Sequence, residues 1–166
     1  MELLAVYDNN GNITNKKIVR GNKNIVLSHN EHVAVAVIFI ENRKGEFLIQ
    51  KTSKEKGSIY SSTGGHILFN ETPIDAIKRE VYEELGVDIS NDDIKELGYL
   101  LYDIPIRFIF YLKKDIDLKE IKLQKDEVEL VKYISRNKVN ELIKEKTFLD
   151  SHSRMFKEVQ KYIDKV

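Results

Sequence analysis

The stretch Thr63 to Val87 reads TGGHILFNETPIDAIKREVYEELGV, in which Glu71, Glu80, Glu83 and Glu84 follow the pair Gly64-Gly65. Carboxylates gathered this densely suit two kinds of chemistry. They bind hard divalent cations such as Mg²⁺, which take carboxylate oxygens, backbone carbonyls and water and commonly share their shell with substrate phosphates. They also move protons as general acids and bases. On a helix, Glu83 and Glu84 lie three and four residues beyond Glu80 and so share its side. Ile74, Ile77, Val81 and Leu85 fall on a second face, roughly a third of a turn away at about 100° per residue. One face packs; the other brings three carboxylates within reach of one point. No lysine stands four residues on to relieve the repulsion, which costs a few tenths of a kcal/mol per pair. The cluster also sits near the helix C-terminus, where the macrodipole disfavours anions. A cation would resolve both problems.

The elements that must position this cluster can be read around it. Thr72 and Pro73 predict a helix start, a hydroxyl cap followed by proline at the first helical position, and Gly86 predicts a left-handed stop. Leu3 to Tyr7 and Lys17 to Val19 flank the turn-rich DNNGN and predict an N-terminal hairpin. VAVAVIFI, Val33 to Ile40, is apolar on both faces, as in a central strand; NRKG turns it and Glu46 to Lys51 runs back. Leu97 to Asp103 and Ile106 to Leu112 read as strands separated by Pro105, and Val128 to Ile134 as a last strand. Ser135 then caps a helix, and Met155, Phe156, Val159, Tyr162 and Ile163 recur at helical spacing. The expected class is α+β, a mixed sheet with helices against its faces.

Composition narrows the function classes. The chain has 166 residues, 42% hydrophobic, and its 27 basic and 27 acidic residues cancel. That size suits one domain over 1–166, with the hairpin at its start and helices at its end. The cancelled charge advertises no nucleic acid polymer or anionic membrane as partner. There is no cysteine, which excludes disulfides, thiolate metal sites and cysteine nucleophiles. No apolar run is long enough to span a bilayer and no signal peptide is evident, so a cytoplasmic location is expected.

Gly65, five residues, Glu71, seven residues and Arg79-Glu80-Val81-Tyr82-Glu83-Glu84-Leu85-Gly86-Val87 together resemble a complete Nudix box. The strand order around it is similar to the Nudix fold, a mixed sheet sandwiched between α-helices. The resemblance implies that Glu83 and Glu84 ligate Mg²⁺, with Mn²⁺ as an alternative, and that Glu80 joins the shell or acts on the attacking water. It implies that Arg79 orients a glutamate, that Glu71 supports the loop or a second metal, and that Gly65 offers its carbonyl to the ion. Family members often add a distal acidic residue; in KDEVEL that is Glu127, with Asp126 and Glu129 as alternatives.

The implied activity is Mg²⁺-dependent pyrophosphohydrolysis of a nucleoside diphosphate derivative or a similar small diphosphate, by a chain for which a homodimer is plausible. Lys51, Arg107 and Tyr60 are expected to contact the substrate, and Phe108 is a further generic member of that surface. Arg20 and Lys51 read as surface salt-bridge residues, with contact to a phosphate as the alternative for each. IYSST precedes the box where many hydrolases of the family carry a tryptophan and a proline. The N-terminal half is also similar to the branch that includes isopentenyl diphosphate isomerase, which makes an isomerase-like enzyme one alternative. That enzyme's cysteine would fall at Gly64, and its E-x-E acid is missing from YLLYDIPIRF. His32 and His66 match its metal-binding histidines, whereas His29 and His152 match no motif. A catalytically silent ligand-binding Nudix domain is the other alternative.

Overall fold

The computed structural model describes residues 1–166. Strands β1 (Leu3–Tyr7) and β2 (Ile13–Val19) form the N-terminal hairpin, followed by β3 (His32–Glu41), β4 (Glu46–Thr52), β5 (Tyr60–Ser61) and β6 (Thr63–His66). Helix α1 (Pro73–Leu85) leads to β7 (Lys95–Leu100), β8 (Ile106–Lys113) and β9 (Val128–Ser135), and the chain ends in α2 (Arg136–Lys144) and α3 (Asp150–Lys165).

Strand β3 is central, as its two-faced apolarity requires. It runs antiparallel to β6 and parallel to β8 through eight paired positions, Ala34 with Ile106 to Glu41 with Lys113. A parallel pair needs a crossover, and here it is supplied by α1 and β7. Alternate β3 residues serve opposite cores. Ala34, Ala36, Ile38 and Ile40 pack with Ala76, Ile77, Val81 and Leu85 of α1. Val37 and Phe39 pack with Val139 and Leu142 of α2 and with Met155, Phe156 and Val159 of α3. The sheet is thus sandwiched between helices, the α+β arrangement expected. Fully burying such side chains contributes roughly 1.5–3 kcal/mol each.

One local expectation changes in detail. The β3–β4 hairpin pairs only beside its turn, Glu41 with Phe47, and then splays. The two strands go to different neighbours, β3 to β6 and β8, and β4 to β9 and β5. Ladder partners supplied by later segments outcompete the local hairpin, and the sheet curls around the gap. Strand β7 likewise ends at Leu100 rather than continuing to Asp103. No helix is long and apolar enough to cross a membrane.

Candidate active site

Helix α1 begins where its sequence dictates. The Thr72 hydroxyl accepts from Asp75 N–H, the Asp75 carboxylate accepts from Thr72 N–H, and Pro73 occupies the first turn. It ends at Gly86, whose φ of 70° suits glycine. Between these ends the helix buries Val81 and Leu85 in the core and directs its carboxylates toward β6.

Arg79 organises that side. Its Nε and Nη2 donate to Glu71 Oε2 and Oε1 at 3.0 and 2.6 Å, and Nη2 also reaches the His66 carbonyl at 3.0 Å. Nη1 donates to Glu80 at 2.9 Å and to Glu83 at 3.2 Å. All five guanidinium N–H groups are therefore engaged. Glu71 in turn accepts from Leu68 N–H at 2.8 Å, tying the connection between β6 and α1 to the same hub.

The glutamates open onto a polar cleft of about 270 Å³ with no hydrophobic residue in its walls. Glu80, Glu83, Glu84, Gly64, Gly65, His66 and Glu127 line it, joined by Gln124 and by Glu2 and Arg20 at the open end of the hairpin. All five residues expected around a metal, Glu80, Glu83, Glu84, Gly65 and Glu127, thus share one cleft. Of the distal acids, Asp126 and Glu129 line a different depression with Lys54 and Lys125. Larger depressions of about 570 and 830 Å³ contain none of the α1 glutamates.

Burial in this cleft raises the Glu84 carboxyl to about 8, reinforced by repulsion from Glu80 and Glu127 and partly offset by Gln50 and the Gly64 N–H. Burial also raises Glu80, against the pull of Arg79. Glu84 Oε2 is buried with no hydrogen-bond partner, an arrangement that disfavours its ionised form. A Cβ on Gly65 would stand 2.3 Å from the Glu80 carboxyl, so only glycine leaves Glu80 its place against the β6 backbone.

These features fit a hard divalent cation: the carboxylates of Glu80, Glu83, Glu84 and Glu127 in one cleft with His66, an orphaned carboxylate oxygen and a side-chain-free backbone beside it. The donors are not drawn into a ready site, since no three Asp, Glu or His side chains stand in metal-binding proximity. Glu80 and Glu83 point to Arg79, and Glu127 pairs with Lys56 at 3.2 Å. Cation binding would draw those carboxylates away from their present partners.

The other expected residues are dispersed. Lys51 Nζ lies over the Tyr60 ring at 5.6 Å, with Lys132 over the same ring at 5.3 Å, and neither Lys51 nor Tyr60 lines the cleft. Arg107 lines a second recess of about 250 Å³ across β6, which shares Gly64, Gly65 and His66 with the glutamate cleft and adds Ser151 and His152. Arg107 donates two bonds to Asp103, and Phe108 packs on Tyr7 and Tyr99 with ring centroids 5.2 and 5.7 Å apart. His32 does not face the cleft: Nδ1 bonds the Ile104 carbonyl at 2.8 Å and Nε2 bonds Asn9 at 2.6 Å, tying the hairpin turn to the loop before β8. His152 accepts from Ser62 N–H at 3.1 Å through Nδ1, and burial with nearby Arg107 lowers its pKa to about 3. It carried no motif, and only the docking of α3 on the sheet reveals its place. Arg20 and Glu2, 60 and 78 residues before Glu80 in sequence, reach the cleft through the pairing of β1 with the segment after β6.

The chain is 38% identical over 97 residues to a Nudix hydrolase of Listeria innocua and 37% identical over 91 residues to one of Listeria monocytogenes. It spans about half the length of these curated relatives, 56% and 52%. Among solved structures it is similar to DR0079 from Deinococcus radiodurans, with a TM-score of 0.76 and 17% identity over 94% of this chain and 98% of that one. It is also similar to a C. elegans Ap4A hydrolase, with a TM-score of 0.59 and 15% identity over 80% of this chain and 99% of that one. The model of the NUDIX domain matches residues 30–159, most of the sheet and all three helices except the end of α3, and the chain accordingly belongs to the Nudix family.

Proposed function

We propose that the protein is a Mg²⁺-dependent pyrophosphohydrolase acting on a nucleoside diphosphate derivative or a similar small diphosphate. The observation that carries this reading is the convergence of Glu80, Glu83, Glu84, Glu127 and the Gly65 backbone on one polar cleft. Membership of the Nudix family supports it, as does likeness of fold to an enzyme named for hydrolysing Ap4A. The reading takes residues 1–166 as one unit, because β1 pairs with β3 and α3 packs on β3, β7 and β8.

In this reading Glu83 and Glu84 hold the ion with the Gly65 carbonyl, and Glu80 and Glu127 stand at the edge of its shell. A bound Mg²⁺ supplies charge neutralisation at the phosphoryl oxygens and lowers the pKa of the attacking water. A glutamate of the cleft accepts the water's proton. Arg79 keeps Glu71 and the connection between β6 and α1 in place, and water displaces a phosphate leaving group in line. In the same reading Arg107, which lines the adjoining recess, meets the remainder of the substrate.

A panel of nucleotide sugars, dinucleoside polyphosphates, oxidised nucleotides and dinucleotide cofactors, assayed with Mg²⁺ and Mn²⁺, tests the reading. Wild type should release phosphate-bearing product from a member of the panel, and Glu83→Gln should reduce release to background while keeping the melting temperature. Equal turnover by both proteins would overturn it. A silent ligand-binding domain is the second reading, favoured by the engagement of Glu80 and Glu83 with Arg79; binding without hydrolysis across the panel would establish it. An isomerase is opposed by Gly64, where any Cβ would lie 2.3 Å from the Ala36 carbonyl oxygen of β3.

A further inference from the structure

We propose that Arg20, on the N-terminal hairpin, is the cation that receives the diphosphate of the substrate, exchanging its partner Glu2 for the incoming anion. The inference rests on the diphosphate reading above and adds a residue that lies outside the segment matched by the family model, residues 30–159.

The hairpin is built into the cleft wall rather than appended to it. Strand β1 is tied to the segment after β6 by Ala5 N–H to the Ile67 carbonyl at 3.2 Å and Phe69 N–H to the Leu3 carbonyl at 2.8 Å. Its open end is closed by Arg20 N–H to the Glu2 carbonyl at 3.0 Å. Both side chains there line the glutamate cleft. Charge then singles out Arg20. The cleft is lined by five glutamates and by no lysine or arginine other than Arg20. Arg79 does not line the cleft, and its Nε and Nη2 are held by Glu71 and the His66 carbonyl, partners that a cation among the cleft glutamates leaves in place.

Arg20 is in the opposite condition. Its guanidinium makes one hydrogen bond, Nη1 to Glu2 at 2.8 Å, in a pair whose side chains are 52% and 48% exposed. Exposed pairs of this kind are weak and readily exchanged. A diphosphate is the stronger partner, because its paired oxygens accept parallel N–H bonds from the planar guanidinium. Glu2 therefore serves as a placeholder that keeps Arg20 turned toward the cleft until the anion enters.

The test is calorimetric titration with methylene diphosphonate, which keeps the two phosphorus centres but cannot be hydrolysed, in the presence of excess Mg²⁺. Wild type should bind; Arg20→Ala should weaken binding by about tenfold or more, and Arg20→Lys by less, because a lysine restores charge without the fork. Glu2→Gln should bind as tightly as wild type or more tightly. Thermal melts of each variant establish that it is folded. Arg20→Ala binding within twofold of wild type would overturn the inference, and so would a wild type that does not bind the probe. Hydrolysis of a panel substrate undiminished in Arg20→Ala would overturn this inference alone. Arg20-dependent binding without any hydrolysis would support it while overturning the hydrolase reading.

Discussion

Glu71 and Arg79 are joined by two parallel hydrogen bonds, Nε to Oε2 at 3.0 Å and Nη2 to Oε1 at 2.6 Å, with side chains only 16% and 22% exposed. The pair links the loop after β6 to the middle of α1, and burial strengthens it relative to a surface bridge. The hydrogen bond with Glu71 leads the causes that hold the Arg79 guanidinium in its charged form.

Glu71→Ala should therefore cost both order and activity. Removing the carboxylate leaves two guanidinium donors and the Leu68 N–H unpaired, and losses of this type cost about 1–3 kcal/mol. The expected result is a lower urea midpoint together with a fall in kcat, because Arg79 is freed to bind Glu80 and Glu83 more closely. Unchanged values of both would refute the hub role.

The two glycines of β6 should respond differently to alanine. At Gly65 the new Cβ meets the Glu80 carboxyl at 2.3 Å, the far end of a flexible side chain, so Gly65→Ala should fold and lose metal-dependent turnover by displacing Glu80. At Gly64 it meets the Ala36 carbonyl oxygen at 2.3 Å and Val37 Cα at 3.0 Å, backbone of the central strand. Gly64→Ala should consequently lower the melting temperature more than Gly65→Ala does. Melting curves and Mg²⁺ titrations of the two variants check the contrast, and the reverse order would contradict it.

His152 should make stability depend on mildly acidic pH. In the unfolded chain its imidazole takes a proton near pH 6.5, whereas burial holds the folded ring neutral down to about 3. The unfolded state therefore binds more protons in that window. The stability contribution is complete above about pH 6.5 and is lost as pH falls toward 3, at up to about 1.4 kcal/mol per pH unit. His152→Asn, which offers an oxygen to the Ser62 N–H, should show a shallower loss between pH 7 and 5 in urea unfolding. Parallel wild-type and variant curves would contradict the assignment.

Features that depend on neighbours along the chain are legible in the amino-acid order. The capping box of α1, its stop at Gly86 and the single side shared by Glu80, Glu83 and Glu84 follow from helical geometry and local hydrogen bonding, which a few consecutive residues contain completely. The two-faced apolarity of β3 likewise announced a central strand, because burial on both sides leaves no polar position. Tertiary structure decided what depends on residues distant in sequence. The parallel pairing of β3 with β8, the splaying of β3 from β4, and the choice of Glu127 over Asp126 and Glu129 for the cleft are set by competition among ladder partners and by chain reversal. Arg20 illustrates the limit most directly. Its ion pair was legible as a surface bridge, but its position over the glutamates exists only because β1 hydrogen-bonds to the segment after β6, and no spacing in the sequence encodes that contact.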